Sequence, residues 1–127
     1  QTTDTCAVHV RGGDIVGPGR AFFERALVRM EKERPGLRYL VFTNDKEAAK
    51  EALEGEHTER KMTYISELGA FSDIDEFFLM AACRHQIISN SSYSTWAAYL
   101  NPNPEKVVIM PEYKGCEQIR LKEWIVL

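Results

Sequence analysis

A chain of 127 residues, 44% hydrophobic and 28% charged, has the composition of an ordinary soluble globular protein and enough length to bury a core. Its formal net charge of −3 gives no electrostatic footprint for nucleic acid or an acidic membrane surface. No apolar run approaches a membrane span, and no stretch reads as a signal peptide.

In chain order, residues 5–10 (TCAVHV) read as a buried strand. Residues 11–19 carry four glycines and a proline and read as a loop. A helix is expected over 21–33, with Phe22, Phe23, Ala26, Leu27 and Met30 on one face and Pro35-Gly36 as its stop. RYLVF (38–42) is a second strand, and Thr43-Asn44-Asp45 supplies a cap for a helix over 46–53. The polar stretch 54–61 leads to a short strand over 62–65.

Residues 75–100 organise the rest as helix, strand, turn, helix. Phe78, Leu79, Ala82 and Cys83 form an apolar stripe at helical spacing. Gln86-Ile87-Ile88 is a β-branched run too short for a helix. Asn90-Ser91-Ser92 follows at its C-terminal end and opens a helix carrying Trp96, Ala97, Tyr99 and Leu100. A strand over 107–110 comes next, and the tail, 117–127, adds a last turn or short strand. With no repeat, low-complexity run or linker, residues 1–127 read as one domain. The start at Gln1, without Met and close to a strand, reads as a piece excised from a longer protein. Cys6, Cys83 and Cys116 lack metal-ligand spacing. The first two sit in apolar segments as reduced core residues, which fits a reducing compartment.

Strands alternating with helices predict an α/β fold: a Rossmann-like, three-layer α/β/α arrangement around a mainly parallel sheet. Ligands of such sheets sit outside the C-terminal ends of the strands. Three polar loops fall on that edge, at 9–14, 43–45 and 90–94. Arg11 follows a buried strand beside Gly12 and Gly13, placing a guanidinium suited to bidentate phosphate recognition where a ligand can approach the backbone. His9 lies on the other face of the strand from Val10 and, taken alone, reads as a half-buried, hydrogen-bonded histidine. Ser91 and Ser92 at a helix start fit either an anion site or ordinary helix caps. The glycine-rich loop has neither the Gly-Lys-Ser/Thr ending of a P-loop nor the spacing of a dinucleotide fingerprint.

These residues resemble a family. HVRGGD is similar to the HxRRGD motif of the α-1,2-fucosyltransferases, glycosyltransferase family 11, and VFTND resembles that family's second block. DEFFLMAACRHQIISNSSYSTWAAYL, followed by NPNPEKVVIMP, resembles the third block and its closing strand. LKEWIVL resembles the family's C-terminal end. The blocks occur in family order across nearly the whole chain, without the half that precedes them in the family. The resemblance therefore implies the donor-binding half of a GT-B-like transferase. It would bind GDP-fucose and serve inverting transfer of fucose to a galactoside hydroxyl in α-1,2 linkage, without a metal or other cofactor. It also implies that the glycan acceptor is held largely by the N-terminal half.

Residue by residue, the resemblance gives Arg11 the donor β-phosphate and the charge on the leaving GDP. His9 and Asp75 go to the guanosine end, with Asp75 accepting from the guanine N1/N2 edge. Ser91 and Ser92 donate to the diphosphate, Asn44, Asp45 and Asp14 line the cleft, and Asp14 is the candidate base. Gly12 stands where the family has a second Arg, Thr95 where it has the first Trp of a pair, and Tyr113 near another expected Trp. Two other readings stay open: a non-catalytic or truncated nucleotide-binding α/β domain, and an interaction domain using the Trp96/Tyr99 surface. The compartment follows the source, cytoplasmic or membrane-associated if bacterial and the Golgi lumen if eukaryotic.

Overall fold

The computed structural model describes residues 4–11, 19–53, 61–65, 72–113 and 116–127. The elements are β1 (Thr5–Val10), α1 (Arg20–Glu33), β2 (Arg38–Thr43), α2 (Lys46–Leu53), β3 (Lys61–Tyr64), α3 (Asp73–Ala82), β4 (His85–Ile87), α4 (Ser92–Leu100), β5 (Val108–Met110) and β6 (Ile125–Val126). A 3-10 turn, Cys116–Gln118, precedes the last strand. The tail thus supplies both a turn and a short strand.

Every strand pair is parallel, and the order across the sheet is β3-β2-β1-β4-β5-β6. This is the doubly wound Rossmann-like α/β arrangement that alternating strands and helices require. The chain runs outward from β1 to β3, crosses back, and runs outward again from β4. The switch point therefore lies between β1 and β4.

The two faces follow from the side-chain alternation of β1, which is buried throughout. Cys6, Val8 and Val10 point into a core shared with Phe22, Phe23, Ala26, Leu27 and Met30 of α1 and Ala49, Ala52 and Leu53 of α2. Ala7 faces the other layer, with Met80 and Ala81 of α3 and Ala97 of α4. The five α1 residues expected on one face are the five that are buried. Gly36, with φ +82°, makes the left-handed turn after α1. Asp45 caps α2 through its Oδ1, which accepts from Ala48 N at 3.1 Å.

α3 corrects the expected phase of its apolar stripe. The helix begins at Asp73 because Ser72 Oγ accepts from Asp75 N at 3.2 Å, and three acidic residues in the first turn favour its positive end. Met80 and Ala81 are then buried with Phe77 and Leu79 alongside, whereas Phe78 is 60% exposed and Ala82 is also exposed. Residues 77–83 are apolar throughout, so the pattern carries no phase; the cap at Ser72 sets it.

α4 buries Ser94, Thr95, Ala97 and Ala98 and leaves Trp96 and Leu100 exposed. Small residues let the helix lie close to the sheet. The Thr95 hydroxyl, donating to Ser91 O at 2.8 Å, satisfies itself within the helix.

A polar latch closes the N-terminal edge of the sheet. Buried Asn101 donates through Nδ2 to Gln86 Oε1 at 2.9 Å and to Arg84 O at 3.0 Å. Gln86 Nε2 donates to Met80 O and Cys83 O, and Lys106 Nζ donates to Ala98 O and Asn101 O at the end of α4. Cys6, Cys83 and Cys116 are all free and buried. Burial holds the Cys6 thiol well above its usual range and raises Cys83 to about 11. No helix among the described residues is long and apolar enough to cross a membrane.

Candidate functional site

Outside the C-terminal ends of β1, β2 and β4 lies a cavity of about 550 Å³. The end of β1 contributes His9 and Arg11, and the end of β2 contributes Phe42, Thr43 and Asn44. The first turn of α3 contributes Asp73 and Glu76, and the start of α4 contributes Ser91, Ser92 and Tyr93. Parallel strands bring these segments together although they lie far apart in the chain. The cavity sits at the switch point between β1 and β4.

The start of α4 is both cap and donor. Ser91 Oγ accepts from Tyr93 N at 3.2 Å, which uses an acceptor position and leaves the hydroxyl proton to donate. Ser92 is exposed at the first helical position. Capping and anion binding, alternatives in the sequence, are compatible in this geometry.

His9 is 8% exposed and packs against Tyr93 with ring centroids 5.5 Å apart and planes tilted by 46°. Its Nδ1 lies 2.8 Å from Ser89 Oγ. Burial, reinforced by the nearby Arg11 charge, lowers its pKa to about 4, so the ring is neutral at physiological pH. Tyr93 also packs edge-on against Phe77, with centroids 5.4 Å apart. Burial, then the Glu76 and Asp73 charges, raise the Tyr93 pKa and keep its hydroxyl protonated.

Among the residues expected from the sequence, the structure brings His9, Arg11, Asn44, Ser91 and Ser92 into this one cavity. Asp45 instead faces its own helix as the cap of α2. Asp75 is exposed on α3 and does not line the cavity, because it sits about 100° around the helix from Glu76. Asp14 lies outside the described residues, as does Gly12.

Asp73, Glu76 and Tyr93 line the cavity as well, beyond the residues the sequence motifs point to. A signal for the first two was present: Met80, Glu76 and Asp73 recur at spacings of four and three, so the carboxylates share the face of a core methionine. Among the described residues, no cluster of His, Cys, Asp or Glu is placed to hold a metal ion.

The chain is 29% identical over 123 residues to the O-antigen biosynthesis glycosyltransferase WbnK of Escherichia coli. That match covers 87% of this chain but 39% of the relative, so the chain spans about two-fifths of the relative's length. No solved structure matches it. The model of one family, described as glycosyl transferase family 11, matches residues 1–127. By that match, spanning every block from HVRGGD to LKEWIVL, the chain belongs to glycosyl transferase family 11.

Proposed function

We propose that this chain is the donor-binding domain of an inverting glycosyltransferase that moves fucose from GDP-fucose to a galactoside hydroxyl in α-1,2 linkage. The observation that carries the reading is the chemistry gathered in one cavity. Arg11 and the hydroxyl-bearing start of α4 suit a diphosphate, and the carboxylates of Asp73 and Glu76 suit the N1–H and N2–H₂ donors of guanine. Family membership supports the glycosyltransferase class, and fucose and the linkage extend from the resemblance of the three sequence blocks.

In this reading Arg11 holds the β-phosphate, while Ser91 and Ser92 donate to the diphosphate. Glu76, with Asp73, takes the guanine edge in place of Asp75. The acceptor hydroxyl oxygen attacks fucose C1 from the face away from GDP. The C1–O bond to the β-phosphate breaks, its electron pair stays on the phosphate oxygen, and the hydroxyl proton passes to a base. Asp14 is the candidate base. Arg11 stabilises the charge that develops on the leaving diphosphate, so the reading invokes no metal. The acceptor is assigned to a second domain, consistent with the chain's 39% share of the E. coli relative.

Calorimetric titration with GDP, ADP and UDP tests the donor assignment. GDP is expected to bind, and ADP, whose base lacks the adjacent N1–H and N2–H₂ donors, about tenfold or more weaker, the value of one hydrogen bond to a charged group. Equal affinity for GDP and ADP would reject the guanine assignment. No heat with millimolar GDP would reject the donor site altogether.

A further inference from the structure

Ser89 follows β4, is fully buried, and is absent from the cavity wall, yet it reaches the cavity through His9. Its Oγ lies 2.8 Å from His9 Nδ1. Its own backbone N–H donates to Ser94 Oγ at 3.3 Å, and Ser94 Oγ in turn donates to Ser91 O at 3.4 Å. A chain of hydrogen bonds thus runs from the end of β1, through Ser89 and Ser94, to the residue that caps α4.

We propose that Ser89 is a positioning residue that donates its hydroxyl proton to His9 Nδ1 and so fixes His9 as the Nε2–H tautomer, a neutral donor presented to the bound nucleotide. The polarity follows from hydrogen-bond supply. A serine hydroxyl has one proton and two lone pairs. Among the described residues, His9 Nδ1 is the acceptor found for the Ser89 hydroxyl, which is buried away from bulk solvent. If Nδ1 carried the proton instead, the Ser89 proton would be buried without an acceptor. A lone pair left unfilled costs less than a buried donor left unmade. Burial keeps the ring neutral, with one donor and one acceptor nitrogen, so once Nδ1 accepts from Ser89 the ring proton sits on Nε2.

His85 provides an internal comparison. Its Nδ1 accepts from Val107 N at 2.9 Å, so this neutral ring must also carry its proton on Nε2. The consequence for His9 is specific. Its Nε2–H can donate to a carbonyl or phosphate oxygen, but that nitrogen cannot take a proton, so His9 is not the base of a transfer reaction.

The ligand half of this inference rests on the nucleotide reading; the tautomer half concerns the free chain. The two separate in one experiment. Long-range ¹H–¹⁵N correlation on histidine-labelled protein at neutral pH reads the tautomer directly, with His9→Gln used to assign the signals. The expected pattern is Nε2–H for His9, matching His85. An Nδ1–H pattern or a charged ring would overturn the proposal, and the unmodified chain alone decides this.

Ser89→Ala is expected to admit the Nδ1–H form and to weaken GDP binding about fivefold, roughly the value of an ordinary hydrogen bond. Ser89→Thr, which keeps the hydroxyl, is expected to restore the Nε2–H pattern. An unaltered tautomer in Ser89→Ala would also overturn the role. A fixed Nε2–H pattern with no GDP binding by the unmodified chain would uphold Ser89 and overturn the nucleotide reading.

Discussion

The Tyr93 hydroxyl donates to the backbone carbonyl of Asp73 at 3.0 Å, tying the first turn of α4 to the first turn of α3. The ring beneath it lies between His9 and Phe77. One side chain therefore sets the spacing between the serines proposed for the diphosphate and the carboxylates proposed for the base. Tyr93→Phe keeps the ring and removes the tie. Because the bond is solvent-accessible, its loss is expected to cost no more than about 1 kcal/mol of stability. GDP affinity is expected to fall several-fold as the two helix starts drift apart. Thermal melts paired with calorimetry check this, and unchanged affinity would show that the spacing does not depend on the bond.

Glu76 and Asp75 are neighbours in sequence with different outlooks. Glu76 lines the cavity and Asp75 is exposed on the flank of α3. Glu76→Gln is expected to reduce GDP affinity by about 1.5–3 kcal/mol, the range for a hydrogen bond to a charged group, and to narrow the preference for GDP over ADP. Asp75→Asn is expected to leave both unchanged. The opposite ranking would return the guanine contact to Asp75.

Buried polar pairing makes a separate, structural prediction at the far edge of the sheet. Asn101 is 4% exposed and Gln86 is fully buried, and each satisfies the other. Asn101→Ala strands Gln86 Oε1 and leaves Arg84 O to Asn103 alone. It is expected to lower stability by about 1–3 kcal/mol, the cost of an unpaired buried polar group. Adding Gln86→Met, which removes the stranded oxygen, is expected to cost less than the sum of the single changes. Denaturant unfolding of the four proteins of the cycle measures the coupling.

The parts of this molecule legible in its sequence are those where one side of an element differs in character from the other. Phe22, Phe23, Ala26, Leu27 and Met30 stand out against charged neighbours, and α1 buries that set. The sheet edge was legible for a different reason: strand–helix alternation obliges the polar residues after β1, β2 and β4 to meet, whatever their identity. Where the chain is uniformly apolar, at 77–83, periodicity has nothing to contrast, and the capping bond at Ser72 fixes the rotation of α3. That rotation decides whether Asp75 or Glu76 faces the cavity. Tyr93 was illegible for a related reason, because its role depends on Asp73 of another helix and on His9 of a strand.

The two buried histidines predict an acid-sensitive fold. Burial, with Arg11 near His9 and with Arg34 and Arg84 near His85, lowers each pKa from 6.5 to about 4. The unfolded chain therefore takes up protons in a range where the folded chain does not. Their contribution to stability is complete above the unfolded value of 6.5 and is lost progressively as pH falls toward about 4. The shift corresponds to at most roughly 3 kcal/mol per histidine. Protonating His85 would also remove the acceptor for Val107 N. Melting temperature followed across this window is expected to fall with pH, and His9→Gln to flatten the slope by about half, since one of two comparable sites is removed. A flat profile in the unmodified chain would mean that neither ring resists protonation.

Arg11 carries the heaviest expectation because the donor assignment fails without it. It is half-buried where β1 ends, lines the cavity, and depresses the basicity of His9. Arg11→Ala is expected to change stability by no more than about 0.5 kcal/mol, as usual for a charge outside the core. GDP affinity is expected to fall by about 1.5–3 kcal/mol. Arg11→Lys is expected to recover part of the affinity and no more, since an ammonium cannot reproduce the planar two-donor fork. Removal of the charge is also expected to raise the His9 pKa, which the same histidine spectra report and which shows that the variant is folded around the site. If Arg11 served instead to brace the segment after β1, Arg11→Ala would lower the melting temperature, Arg11→Lys would restore it, and GDP would bind both as well as the unmodified chain. Paired melts, titrations and spectra on the two variants separate these cases. Full GDP affinity in a folded Arg11→Ala protein would remove the end of β1 from the donor site.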